Sequence, residues 1–218
     1  MKNKPQRLNS NLTRKTSTRN AKKRILIVCE GEKTELQYFD GLATHLGASP
    51  RVEIDPVGLG AEPLKVVRWA IAERRTSERE AKRAKDANLR YDEVWCVVDV
   101  DDHERLPQAL TTARDNDVEL VVSNPCFEIW LLYHFQPYVS SVDRSVLGRE
   151  KMRRHIPEYK KDLPPDFPFA GHPEAAKHAR SAAPEHNQTC AKGPNPSTNA
   201  WLLVRSIEKA GARSDTKR

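Results

Sequence analysis

The stretch RILIVCEGEKTELQYFDGL, Arg24 to Leu42, decides how the rest of the chain is read. Ile25 to Cys29 is a short, β-branched-rich apolar run of the kind that forms a strand covered on both faces. It passes straight into Glu30 and Gly31, and then Thr34 to Leu46 carries Leu36, Phe39 and Leu42 at the spacing of one helical face. A buried strand that ends on a carboxylate, with Glu32 and Glu35 close behind, raises the question of what neutralises the charge.

Working outward, the same alternation recurs. Val52 to Val57 reads as a strand, and Pro63 opens a helix whose stripe is Leu64, Val67 and Ile71. That helix runs on into ERRTSEREAKRAKDANLR, which is polar all round and reads as a solvated extension. Val94 to Val98 is the next strand, ending VVDVDDH. Leu106 to Arg114 is helical, VELVVSNP is a fourth strand, and CFEIWLLYHF reads as an apolar helix starting at Pro125. This β-α order predicts an α/β fold with a mostly parallel four-stranded sheet and helices on both faces.

From Val139 the periodicity weakens. RSVLGREKMRRHIPEYKK reads as one basic helix, His172 to Ala183 as another, NPSTNAW as a helix start capped by Ser197 or Thr198, and Leu202 to Ala210 as a closing helix. The predicted organisation is a basic disordered arm (1–23), an α/β core (24–138), a helical C-terminal extension packed on it (139–210) and a polar tail (211–218). Trp69, Trp95, Trp130 and Trp201 fall in apolar patterns and read as core.

The net charge of +7 sits in one place. Residues 1–24 hold nine basic side chains and no acid, and the remaining 194 residues carry two more acids than bases. Such an arm suits phosphate contacts, or is simply a solvated tail. Lys22 and Lys23 are its candidate nucleic-acid contacts, with Arg149, Lys151, Arg153 and Arg154 in a second basic segment that reads equally well as a solvated face. No apolar run is long enough to span a bilayer, and the expectation is a soluble, cytoplasmic protein without a membrane partner. Cys29, Cys96, Cys126 and Cys190 lack CxxC spacing, and the gaps among His172, His178, His186 and Cys190 match no common zinc pattern.

In open α/β sheets, ligands bind outside the carboxyl ends of the strands. There the sequence puts Glu30 after the first strand, Asp99 with Asp101 and Asp102 after the third, and Asn124 after the fourth, with Glu128 a helical turn further on. Crowded carboxylates repel unless a cation neutralises them, and an oxygen-only donor set selects Mg²⁺ or Mn²⁺. Gly31 lets the backbone turn tightly beside such a ligand. Each piece alone has an ordinary explanation, a loop beginning or a helix cap; their joint position at strand ends is what points to a site.

ILIVCEGEKTE, VVDVDDH, SNPCFEIWLLYHF and the late NPST, in this order over Arg24 to Glu208, resemble the RloB-like family. The resemblance implies a Toprim-type fold, anti-phage or restriction-associated defence, and frequently an ATPase partner. It also implies a divalent-cation site of Glu30, Asp99 and Asp101. Related nucleases of the overcoming-lysogenization-defect type add a second glutamate, for which Glu35 is the candidate, one residue further along. Glu128 is the candidate further acid, its alternative an ordinary solvent-facing helix residue. Asn124 would shape the loop, and Asp102 is a candidate supporting acid. Lys33 is the nearest cation that could contact a scissile phosphate, although a solvated surface position is the favoured reading for it. The expected function is a Mg²⁺-dependent endonuclease acting on RNA (tRNA among the options) or DNA. The alternative is an inactive Toprim-like module that binds nucleic acid or a partner. A topoisomerase is not expected, because no tyrosine has an obvious nucleophile's place.

Overall fold

The computed structural model describes residues 23–49, 52–56, 62–100 and 104–212. Strands β1 (Ile25–Cys29), β2 (Val52–Pro56), β3 (Glu93–Asp99), β4 (Glu119–Asn124) and β5 (Ser197–Thr198) form one sheet in the order β2-β1-β3-β4-β5. The first four are parallel, with Ile27 opposite both Ile54 and Trp95, and Val97 opposite Val121. β5 pairs antiparallel with β4, so the sheet is mixed and five-stranded rather than four-stranded.

The helices are α1 (Thr34–His45), α2 (Pro63–Ala84), α3 (Leu106–Asp115), α4 (Glu128–Tyr133), α5 (Arg144–Val146), α6 (His172–Ala182) and α7 (Ala200–Gly211). Alternation along each strand divides the interior into two cores. Ile25, Ile27, Cys29, Trp95, Val97 and Val121 face Tyr38, Phe39 and Leu42 of α1, Ile129 and Trp130 of α4, and Leu203 and Ile207 of α7. Leu26, Val28, Val94, Cys96, Val98, Leu120 and Val122 face Leu64, Val67 and Ile71 of α2 and Leu106, Ala109 and Ala113 of α3. Two covered faces explain why these strands read as unbroken apolar runs. Val142, Leu147, Met152, Ile156 and α6 join the first core, so residues beyond 139 share it with β1 and α1.

Several local expectations change. NPST is not a helix start: Ser197 and Thr198 are β5, and the Thr198 hydroxyl lies 2.8 Å from that of Ser123. Asn199 then extends the edge, its side-chain oxygen accepting the Val122 N–H at 2.8 Å while its amide donates to the Gln188 carbonyl at 2.7 Å. The apolar helix after β4 starts at Glu128 rather than Pro125; Phe127 is its N-cap, and the Phe127 N–H, which no helical turn could satisfy there, goes to Asp99. RSVLGREKMRRHIPEYKK is not one helix but a chain of short turns, α5 followed by a π turn (Leu147–Lys151) and a 3₁₀ turn (Met152–Arg154). Leu147 and Met152 are both fully buried five residues apart, a spacing that the wider π turn brings to one side. Trp69 is not core; it is 48% exposed on α2. All four cysteines are buried free thiols. Among the described residues no helix is long and apolar enough to cross a membrane.

Candidate metal and phosphate site

The strand order reverses direction between β1 and β3: from β1 the chain moves outward to β2, and from there it returns to β3 on the other side. Their following helices, α1 and α3, pack on opposite faces, which opens a crevice at the carboxyl ends of β1 and β3. Glu30 is the first residue beyond β1 and Asp99 the last of β3. The Glu30 N–H continues the ladder to the Val97 carbonyl at 3.0 Å, and the Asp99 N–H donates to Glu30 Oε2 at 3.2 Å. Asp99 Oδ1 accepts from the Phe127 N–H at 2.9 Å, while Oδ2 is ion-paired with the Arg144 guanidinium. Glu128, opening α4, accepts from the Tyr159 hydroxyl at 3.2 Å.

Glu35 lies in the first turn of α1, with its carboxylate folded over Gly31. A Cβ at position 31 would fall 2.4 Å from Glu35 Oε2 and 2.7 Å from Oε1, so the glycine is needed for this close approach. Glu30, Glu35, Asp99 and Glu128 thus converge from three separate stretches of chain, each 6–8% exposed. They line a cavity of about 250 Å³ whose wall holds five acids, Glu32 included, against the cations Lys33, Arg144 and Lys161.

The charge is not balanced within the cavity. Burial first, then the fields of Glu128 and Glu30, push the Glu35 carboxyl up to about 6, with its own backbone hydrogen bond and Lys161 opposing. Burial also lifts Asp99 well above the usual carboxylate range, reinforced by Glu35, Glu128 and Glu30 and opposed by Arg144. Burial and Glu128 push the Tyr159 phenol up, which keeps it a protonated donor. The Cys126 thiol is pushed up by burial and by Glu128 and Asp99.

Of the residues singled out in the sequence, Glu30, Gly31, Lys33, Glu35, Asp99 and Glu128 come together here. Lys33 lies 3.5 Å from Asp162. Asn124 holds the C-terminal region to the sheet end, donating to the Gly193 carbonyl at 2.9 Å. Asp101, Asp102 and Lys22 lie outside the described residues. Lys23 is ion-paired with Glu93 at the start of β3, the opposite end of the sheet. Lys151 sits 5.2 Å from the Tyr138 ring, and Arg154 is exposed. Arg149 and Arg153 line a neighbouring groove.

Sequence reasoning did not single out Arg144, Tyr159 or Thr34, whose hydroxyl donates to the Lys161 carbonyl at 2.7 Å. Arg144 and Tyr159 come from the irregular segment after α4, where no periodicity marks them, and Thr34 opens α1 and ties that segment to it. The histidines disperse: His178 donates to the Tyr133 carbonyl at 2.8 Å and His186 to that of Ala191 at 2.9 Å.

The donor chemistry of the cavity suits a hard divalent cation: carboxylate oxygens, buried, with mutual repulsion that a cation would relieve. In the geometry seen here, no three His, Cys, Asp or Glu side chains among the described residues converge as a ready coordination sphere. Arg144 is the cation on Asp99.

A family model described as RloB-like protein matches residues 25–207, and the chain belongs to that family. No curated protein and no solved structure matches it.

Proposed function

Given an RloB-like chain whose sheet edge gathers four buried carboxylates, we propose that this protein is a Toprim-like, divalent-cation-dependent nuclease. In this reading it hydrolyses phosphodiester bonds of RNA or DNA as an effector of bacterial anti-phage defence, beside an ATPase partner. The observation that carries the reading is the convergence of Glu30, Glu35, Asp99 and Glu128 in one cavity at the switch point of the sheet.

Glu30 and Asp99 would hold Mg²⁺ or Mn²⁺, with Asp101 joining from the sequence after β3 and Glu35 and Glu128 completing the acidic wall. A cation bound there supplies Lewis-acid stabilisation of charge on phosphate oxygens and a more acidic water. The chain's own contributions follow from the contacts described. Backbone N–H groups of Asp99 and Phe127 orient the Glu30 and Asp99 carboxylates, and Tyr159 fixes Glu128. Gly31 admits Glu35 to the cluster. Lys33 and Lys161 on the cavity wall offer positive charge to a phosphate.

The test incubates the purified full-length protein with labelled RNA and DNA in Mg²⁺ or in EDTA. Cleavage by wild type in Mg²⁺ alone, abolished in Glu30→Gln and Asp99→Asn variants that remain folded, is expected. Equal cleavage by both variants would remove the carboxylates from the chemistry.

The Asp99–Arg144 ion pair favours a second reading, because it neutralises Asp99 without a metal. There the domain is a non-catalytic module that binds nucleic acid or a partner. Phage protection that survives Glu30→Gln and Asp99→Asn would select it.

A further inference from the structure

A second concavity, about 620 Å³, adjoins the carboxylate cavity and shares Glu128, Arg144 and Lys161 with its wall. The rest of its lining includes Arg149, Arg153 and Lys160, so cations outnumber acids five to two, the acids being Glu128 and Asp143. The cations come from one stretch of chain, 144–161. It is not a loose basic tail: Leu147, Met152, Ile156 and Tyr159 are buried in the main core and fix the stretch to the sheet. The neighbouring Lys151 and Arg154 do not line the groove, so its charge is segregated rather than spread around a solvated helix.

The junction between the two cavities is built with some strain. Lys161 has φ +69, the left-handed region, which costs a non-glycine residue about 1–2 kcal/mol. It is held there while its carbonyl accepts the Thr34 hydroxyl at 2.7 Å from the first turn of α1. Strain of this kind persists where surrounding contacts over-determine it, and here it sets a lysine between acid and base. Arg153 is tied in as well, its Nε donating to the Tyr159 carbonyl at 3.4 Å.

We infer that this groove is a phosphate-backbone subsite. It takes the phosphates of a polynucleotide strand that flank the bond presented to the carboxylates, with Arg144 and Lys161 at the junction. Several cations leading away from one acidic cavity match a ligand with several phosphates in series; a free phosphate or mononucleotide would engage only the junction. The aromatic residue in the groove lining, Tyr159, is buried and bonded to Glu128, so the groove offers backbone contact rather than base stacking. The inference rests on the nuclease reading for what is cut, but binding itself needs no cleavage.

The experiment measures anisotropy of fluorescein-labelled single-stranded RNA and DNA of one sequence on the full-length protein in EDTA. Salt is varied between about 50 and 200 mM, over which each single-strand phosphate contact contributes about 0.7 to the log–log slope. Removing two contacts with Arg149→Ala/Arg153→Ala should lower the slope by about 1.4, so that wild type loses roughly 7-fold more affinity than the variant over that range. Arg79→Ala/Arg83→Ala, the same charge change on exposed α2, should leave the slope near wild type. A groove variant with the wild-type slope, an equal effect from both double variants, or stronger capture by phosphatidylserine vesicles than by either oligonucleotide would overturn the inference. The RNA and DNA arms identify which strand is preferred, and preference for either supports the groove. If the slope falls as expected but wild type never cuts in Mg²⁺, the nuclease reading fails and the groove stands.

Discussion

Glu35→Gln tests the electrostatics of the cavity, because it keeps the size of the side chain and removes one buried charge. The folded protein raises the Glu35 carboxyl from 4.5 to about 6, chiefly through burial and then through Glu128 and Glu30. The folded state therefore binds this proton more tightly than the unfolded chain. The associated stability is complete below 4.5 and is lost as pH rises past about 6. A shift of that size corresponds to about 2 kcal/mol, an order-of-magnitude figure for a coupled cluster.

Urea unfolding in EDTA across pH 4.5 to 7.5 should thus show the variant gaining on wild type by up to about 2 kcal/mol as pH rises. In a thermal melt the same difference is about 4–8 °C for a chain of this size. Added Mn²⁺ should narrow the gap by favouring wild type. Parallel stability–pH curves for the two proteins, or a variant that loses ground toward neutral pH, would refute the picture of Glu35 as a repelled, buried carboxylate.

Two further substitutions separate the site from the scaffold. Gly31→Ala places a Cβ within 2.4 Å of Glu35 Oε2, so the carboxylate must swing aside; a folded protein with Mn²⁺ affinity reduced about tenfold or more by calorimetry is expected, and wild-type affinity would contradict it. Asn199→Ala strips partners from the Val122 N–H and the Gln188 carbonyl, and should cost about 1–3 kcal/mol in urea unfolding, since a buried amide is left unsatisfied.

The parts legible in sequence are those with local causes. β1, β3 and β4 could be read because two covered faces demand continuous apolar runs, and Glu30 and Asp99 stood out as charges ending such runs. Glu128 was visible as an acid wedged between Phe127 and Ile129, both buried. The rest depends on contacts distant in sequence. Glu35 is buried through Gly31's missing side chain and lies within the field of Lys161, more than 120 residues away. Arg144 meets Asp99 from 45 residues further along the chain, and the π turn that follows it buries Leu147 and Met152 at a spacing that a search at helical period does not detect. β5 spans two residues, too few to show alternation. Trp69 misled in the other direction: its residue type suits a core, but α2 turns it to solvent.

Whether the clustered carboxylates hold a divalent cation is tested most directly by titrating Mn²⁺ into metal-free full-length protein and following free Mn²⁺ by electron paramagnetic resonance. Wild type should take up Mn²⁺, and Glu30→Gln and Asp99→Asn should each weaken that uptake while the protein stays folded. No uptake by wild type at millimolar Mn²⁺, or undiminished uptake by both variants, would contradict a cation site at the ends of β1 and β3.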